Sequence, residues 1–287
     1  MNGSIIVVAG PTSSGKSDFA VDLALKIDGE IISADSRQVY RKLDIGSGKI
    51  TKEEMRGVPH HMLDVFDVGD EISVTTYKEK ALPILEDILS RGKTPIICGG
   101  TGQYIDALIY DQPLPLVPPN ETLRTELETK TTEELVQKLK DLDEDRLGVI
   151  GTHNRVRLVR SIEIAEALGK VPELPDLKLR YPTTMYILTP ARELMHERIT
   201  ARLDKRFDQG MTQEVKNLLA DGVLYKDLER LGLEYRYITR HVRGELSEKE
   251  MVEQLTFKTN QYGKRQVTWL KKYPKDPRIE LHIIDVR

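Results

Sequence analysis

Eight residues near the start of the chain, Gly10-Pro11-Thr12-Ser13-Ser14-Gly15-Lys16-Ser17, have types and spacing suited to holding phosphate. Two glycines separated by four residues and followed by Lys-Ser form a phosphate loop when a strand precedes them and a helix follows. The glycines let the backbone turn its N–H groups inward, and a helix N-terminus adds favourable partial charge for anions. Lys16 brings a full positive charge to the terminal phosphates, and the Ser17 hydroxyl is placed to ligate Mg²⁺. The loop implies a phosphate or diphosphate ligand and leaves open whether that ligand is a nucleotide.

Asp35 follows a short apolar run, Glu30-Ile31-Ile32-Ser33-Ala34, at the edge where open α/β sheets bind ligands. A carboxylate there can hold Mg²⁺ through water, fix a substrate hydroxyl or take a proton from a nucleophile. It can equally cap a turn or pair with Arg37. A third apolar run ends in Cys98-Gly99-Gly100-Thr101-Gly102. Many phosphate-loop hydrolases carry a Mg²⁺-binding acid at that place. A glycine pair and a threonine there argue against an ordinary ATP hydrolase. His60-His61 is a tempting metal pair, but adjacent residues of a regular element point apart and no third ligand lies at metal spacing, so a hydrogen-bonding role is expected.

These residues must be positioned by strands and helices that alternate. Ser4–Ala9 reads as a buried parallel strand, and Lys16 to about Ile27 as a helix. Strands follow at 30–34, 94–98 and 184–188, with a helix over 75–89 between the second and third. The expected fold is therefore α/β, a parallel sheet of the P-loop NTPase-like kind flanked by helices. Residues 111–119 carry four prolines and read as a stiff linker. Residues 120–170 read as helical throughout, and Val171–Pro175 closes that stretch. A small all-helical insertion domain is thus expected over 113–183, between core segments 1–112 and 184–287. The stretch from Pro190 to about Leu270 is again mostly helical.

At 287 residues, with 39% apolar and 31% charged side chains, the chain has ample material for a core without disulfides. No apolar run approaches membrane-spanning length, and the first residues lack the basic start of a secretory signal. The single cysteine, Cys98, excludes an internal disulfide and a cysteine-based zinc cluster, so a cytoplasmic location is expected. The net charge of −3 is unevenly spread: residues 121–145 carry −5 and residues 258–287 carry +5. A polyanion should meet the second half more favourably.

Taken together, GPTSSGKS at 10–17, ISADSRQVYRKLDIGSGK at 32–49, PHHMLD at 59–64, CGGTGQY at 98–104, NRVRLVRSIEIAEALGK at 154–170 and RQVTWLK at 265–271 resemble the tRNA dimethylallyltransferases, also called tRNA isopentenyltransferases. The likeness runs from residue 4 to about 271. It implies transfer of a dimethylallyl group from dimethylallyl diphosphate to N6 of the adenosine 3′-adjacent to the anticodon, position 37. The implied partners are the tRNA anticodon stem-loop and the prenyl diphosphate, with Mg²⁺ as cofactor and no membrane, in a monomer.

On matching residues, the resemblance implies that the loop 10–17 holds the diphosphate, that Lys16 neutralises it and that Ser17 touches Mg²⁺. Asp35 matches the general base. Asp35, Ser36, Arg37 and Gln38 match the strip that contacts the flipped adenosine. Thr101 matches a residue that closes the reaction channel and touches tRNA, and Arg124 matches an RNA contact. Val156, Arg157, Leu158, Val159 and Arg160 correspond to a further RNA-contacting segment, and Arg202 to an arginine that binds the leaving diphosphate. Two departures accompany the likeness. At 232–237 the chain reads Gly-Leu-Glu-Tyr-Arg-Tyr, with Glu234 where the family usually has glycine, and Ser47-Gly48 stands where Thr-Ala is usual. The Cys/His zinc finger of eukaryotic members is absent, which points to the bacterial type.

Displacing diphosphate from an allylic carbon needs cations and N–H donors where negative charge develops. It also needs a carboxylate to take the amine proton and a channel that keeps water out. The adenine must leave its stack, at a cost of a few kcal/mol that phosphate contacts offset. A phosphate-loop small-molecule kinase that uses ATP and sets Asp35 on a substrate hydroxyl remains the alternative, as does a non-catalytic RNA-binding module.

Overall fold

The computed structural model describes residues 3–111, 115, 117–173 and 177–286. Parts of the linker read over 111–119 and of the closing segment 171–175 lie outside the described residues. The chain divides into two compact units, Met1–Asp111 with Leu179–Arg287, and Gln112–Lys178.

In the first unit the order is β1 (Ile5–Ala9), α1 (Lys16–Ile27), β2 (Gly29–Ala34), α2 (Lys52–Met55), β3 (His60–His61), α3 (Val74–Ser90), β4 (Thr94–Gly99) and α4 (Gly102–Ile109). Among its described residues the second unit holds four short helices, α5 (Glu121–Glu128), α6 (Thr132–Leu142), α7 (Glu144–Ile150) and α8 (Arg155–Leu168). The first unit resumes with β5 (Thr183–Pro190), α9 (Arg192–Asp208), α10 (Met211–Ala220), α11 (Tyr225–Arg230), α12 (Leu233–Val242), α13 (Glu248–Leu270) and β6 (Ile279–Val286). The return to this unit begins before 184: Leu179 bridges Tyr110, and the Arg180 N–H donates to the Ile109 carbonyl at 2.8 Å. That backbone pairing, which no side-chain pattern signals, ties 179–183 to the core.

The six strands form one parallel sheet in the order β3-β2-β4-β1-β5-β6. This is the P-loop NTPase-like arrangement, with β1 near the middle and helices on both faces. The inner strands are largely apolar because both faces are covered: Ile5, Val7, Val8, Ile32, Ile96 and Ile97 are all buried. Two strands go beyond the sequence reading. β3 is only two residues long, and β6 alternates in exposure as an edge strand does.

β3 accounts for the histidine pair. His61 Nε2 lies 2.8 Å from Glu30 Oε2, and His60 Nδ1 lies 2.8 Å from the Val58 carbonyl. Glu30 is almost wholly buried and also receives Arg91 Nη1 at 2.5 Å and Nη2 at 2.8 Å. The Arg91 bonds, with His61, outweigh burial and hold the Glu30 carboxyl down at about 2. A depressed carboxyl stabilises the fold above its unfolded pKa and loses that contribution as pH falls towards its folded value. Stability measured by urea unfolding is therefore expected to drop between about pH 4.5 and 2. Glu30→Gln should flatten that window and lower Tm at pH 7 by about 3–6 °C. An unchanged acid limb in the variant would remove Glu30 from this role.

Candidate active site

Sheet register brings three loops to one edge. Ala9 pairs with Gly99, and Gly99 pairs with Ala34, so β1, β4 and β2 end level with one another. Beyond those ends lie the loop 10–15, the Gly100-Thr101 turn and Asp35. The approach is close: a Cβ on Gly99 would sit 2.2 Å from the Ala34 carbonyl oxygen, so only glycine fits.

The loop after β1 turns through left-handed residues, Ser13 at φ 62° and Gly15 at φ 80°. Strain of this kind in a non-glycine residue collects at ligand sites. The Ser13 and Ser14 hydroxyls are buried with no partner among the described residues. Buried polar atoms left unpaired are costly, so such a cradle suits a ligand rich in acceptors. Lys16 Nζ lies 3.4 Å from the Pro11 carbonyl. Loss of hydration lowers its pKa; Cys98 and Asp35 pull it up, and Arg202 and Arg206 push it further down.

Those two arginines stand four residues apart on one face of α9. Arg202 Nη2 bonds to Thr12 Oγ1 on the loop, and its Nε is buried without a partner among the described residues. Burial, then repulsion from Arg206, lowers the Arg202 pKa to about 10, which leaves it charged at neutral pH. Arg206 Nη1 donates to the Gly46 carbonyl at 3.1 Å. Gln266 on α13 staples the site together. Its Oε1 accepts from the Thr12 N–H at 2.8 Å and its Nε2 donates to the Gly100 carbonyl at 3.0 Å.

Asp35 is half-buried. Its Oδ1 accepts from the Arg37 N–H at 2.8 Å and the Gln38 N–H at 3.3 Å. This leaves Oδ2 without a partner among the described residues. The turn-capping role considered from the sequence is thus real, and it uses one oxygen. No side-chain ion pair joins Asp35 to Arg37 among the described residues. Thr101 Oγ1 accepts from the Ser36 N–H at 3.1 Å, and the Thr101 N–H donates to the Ala34 carbonyl at 3.1 Å. Gln38 Nε2 donates to the Gly48 carbonyl at 3.1 Å.

All these parts surround one cavity of about 310 Å³. Thr12, Lys16, Ser17, Asp35, Ser36, Arg37, Gln38 and Arg202 line it, as the sequence reading expects of site residues. Gly10, Pro11, Ser13, Ser14, Gly15 and Thr101 belong to the loops that frame it and are not among its lining residues. Seven basic residues and two acidic ones are among its lining: Lys16, Arg37, Arg202, Arg206, Arg230, Arg236 and Arg265 with Asp35 and Glu234; Arg230 is itself paired with Glu71 and Asp227. Such a cavity focuses positive potential on whatever enters it.

The second unit shows its own arrangement. Arg124 forks onto Glu163, with Nε at 2.7 Å and Nη2 at 3.1 Å, and Arg160 Nη1 reaches the same carboxylate at 3.1 Å. The Asn120 N–H adds a bond at 3.0 Å. Burial alone raises the Glu163 pKa, but Arg124, the Asn120 amide and Arg160 together lower it. Val156 and Arg157 are exposed and Val159 is half-buried. Leu158 is wholly buried with Leu123, Leu127, Leu135, Leu139 and Ile162, so its side chain builds this unit's core and offers no surface to RNA.

Among the cavity residues that the sequence reading does not assign to the site are Arg206, Gln266 and Glu234. Arg206 has a visible signal, its i,i+4 spacing from Arg202. Gln266 is marked only as part of the RQVTWLK segment at 265–271, and its contact across 254 positions of sequence is not readable from it. Glu234 stands out only as a departure, and its place in the wall emerges from the packing of α12.

A family model described as IPP transferase matches residues 38–273. The chain is 39% identical over 99% of its length to tRNA dimethylallyltransferase 2 of Syntrophotalea carbinolica, of which it covers 95%. It is 40% identical over 98% of its length to tRNA dimethylallyltransferase 1 of Parabacteroides distasonis, covering 92% of that protein. Among solved structures, the full-length tRNA isopentenylpyrophosphate transferase of Bacillus halodurans aligns with a TM-score of 0.72 at 31% identity, over 99% of this chain and 91% of that one. A eukaryotic dimethylallyltransferase, solved acting on tRNA, aligns with a TM-score of 0.82 at 25% identity, over 99% of this chain and 74% of that one.

Two outcomes follow from the geometry. A bound anion raises the depressed Lys16 pKa, so inorganic pyrophosphate binding should take up protons and weaken as pH rises towards 10.5, the ordinary lysine value. Calorimetry across the alkaline range in buffers of different ionisation heat, run on the parent and Lys16→Met, measures this uptake, and identical proton exchange by the two would contradict it. In the second unit, Glu163→Ala removes the carboxylate that receives Arg124, Arg160 and the Asn120 N–H. Hydrogen exchange over 120–124 and 155–163 should show local stability lower by about 2 kcal/mol.

Proposed function

The chain belongs to the IPP transferase family, and from that premise we propose that it acts as a tRNA dimethylallyltransferase on N6 of the adenosine at position 37, with dimethylallyl diphosphate as donor. Prenyl transfer is the class of reaction, and it is favoured over the phosphate-loop kinase by the relatives named above. One observation carries the finer reading. A phosphate loop backed by two arginines, and a carboxylate with an unpartnered oxygen, converge on the same cavity.

In this reading the loop amides, Lys16 and Arg202 hold the diphosphate and meet the charge that grows on it as the allylic C–O bond breaks. The unpaired Ser13 and Ser14 hydroxyls and Arg202 Nε are donors suited to its oxygens. Among the described residues no three His, Cys, Asp or Glu side chains form a metal-binding group. Mg²⁺ would be held by the Ser17 hydroxyl and oxygens of the diphosphate, hard donors that suit it. When bound it would share the leaving group's charge.

The nucleophile is an aryl amine with a delocalised lone pair. As N6 bonds to carbon its proton becomes acidic, and Asp35 Oδ2 accepts it while Oδ1 stays in the turn. Ser36, Arg37 and Gln38 contact the adenosine, and Thr101 positions this strip through the Ser36 amide. Val156 and Arg157, exposed on α8, are the residues of their segment best placed to meet RNA; Arg124 and Arg160 act there through whatever surface their bonds to Glu163 leave. The protein works as a monomer in the cytoplasm. No helix among the described residues is long and apolar enough to cross a membrane.

Mass analysis of nucleosides from tRNA incubated with protein, Mg²⁺ and dimethylallyl diphosphate should reveal dimethylallyl-adenosine. Asp35→Ala should slow single-turnover transfer by about 10²–10⁴-fold with pyrophosphate binding retained. Transfer at the parent rate would take Asp35 out of the mechanism. ATP consumption without prenylated adenosine would favour the kinase.

A further inference from the structure

We infer that Glu234 is the built-in counter-ion of the diphosphate site: its carboxylate, set against Arg206 in the cavity wall, limits how tightly the leaving diphosphate is held. The inference rests on the reading of the cavity as a diphosphate site and names a residue that tunes it.

Glu234 sits in the first turn of α12. A carboxylate there is favourable to the helix dipole. Yet the helix is entered from Gly232 with no side-chain cap, so Glu234 is not a capping residue. Its side chain is largely buried and its Oε1 lies 3.7 Å from Arg206 Nη1, which is itself buried. That distance gives an ion pair without a tight hydrogen bond. Arg206 is fixed by other means. It donates to the Gly46 carbonyl, and it fills the space over Gly48, where a Cβ would fall 1.6 Å from Nη2. Its Nε and Nη2 make no hydrogen bond among the described residues. The 44–46 turn that supports it is held by Glu214, which accepts from the Asp44, Ile45 and Gly46 amides at 2.7–3.0 Å. Arg206 therefore keeps its place without Glu234.

What Glu234 contributes is charge. It acts on Arg202 as well, where it opposes the repulsion from Arg206. In a partly dehydrated cavity, a fixed anion among the cations that bind a polyanion weakens that binding over several ångströms. The consequence for a transferase is release: product diphosphate leaves a site that does not grip it with unopposed charge. A structural role predicts the opposite sign, because loss of a tether would loosen Arg206 and weaken binding.

The test is the affinity for inorganic pyrophosphate with Mg²⁺, by calorimetry, of the parent chain, E234Q and E234D. E234Q should bind about tenfold more tightly. E234D, which keeps the charge, should stay within about threefold of the parent. Equal or weaker binding by E234Q overturns the inference, and so does tightening by E234D that matches E234Q. If E234Q does not fold, E234G removes the same charge and carries the same expectation. A parent chain that binds no pyrophosphate would overturn the diphosphate reading itself, which separates the two failures.

Discussion

Repulsion among cations held close together in a partly dehydrated wall is the constraint on which the rest of the site depends. Lys16 and Arg202 lose hydration there; Arg206 makes both harder to keep charged, and Arg202 does the same to Lys16. Such groups persist only where neutral dipoles fix them. The Pro11 carbonyl, the Thr12 hydroxyl and the Gly46 carbonyl do this. An anion placed among the three turns mutual repulsion into shared attraction with little rearrangement, which is what electrostatic preorganisation means in physical terms. Asp35 and Glu234 moderate the field from two sides.

Holding like charges in place demands a stiff frame, and the parallel sheet supplies it. Level strand ends put the phosphate loop, Asp35 and the Gly100-Thr101 turn side by side through backbone pairing alone. Cross-links between those loops then remove the remaining freedom. Thr101 ties the β4 turn to Ser36, and Gln266 ties both the phosphate loop and Gly100 to α13. The frame is built early in the sequence, but its stiffness is completed by helices that arrive some 200 residues later.

That order explains what the sequence reveals and what it withholds. Buried parallel strands announce themselves as short apolar runs, so β1, β2, β4 and β5 are legible, and the loop 10–17 is legible because its chemistry is local. β3 is two residues of histidine, too short for any period. β6 is an edge strand whose apolar and polar residues follow a basic, proline-punctuated stretch. Local spacing also marks Arg202 as part of a helix, whereas the meeting of Arg206, Gln266 and Glu234 around one cavity depends on packing between distant helices. Within RVRLVR, local pattern shows a basic helix, but only the fold sorts buried Leu158 from exposed Arg157 and assigns Arg160 to Glu163.

Asp35 shows why a structural and a chemical reading of one residue need not compete. Its two oxygens do different things. Oδ1 closes the turn onto the Arg37 and Gln38 amides, which orients the carboxylate. Oδ2 is thereby held in a defined direction with its lone pairs uncommitted. A free-swinging carboxylate would have to be ordered anew for each proton it accepts, at a cost in side-chain entropy. One fixed by its own turn is already ordered. In the proposed reading the same backbone amides belong to the strip that meets the adenosine, so an adenosine seated on that strip is brought within reach of the oxygen that takes its proton.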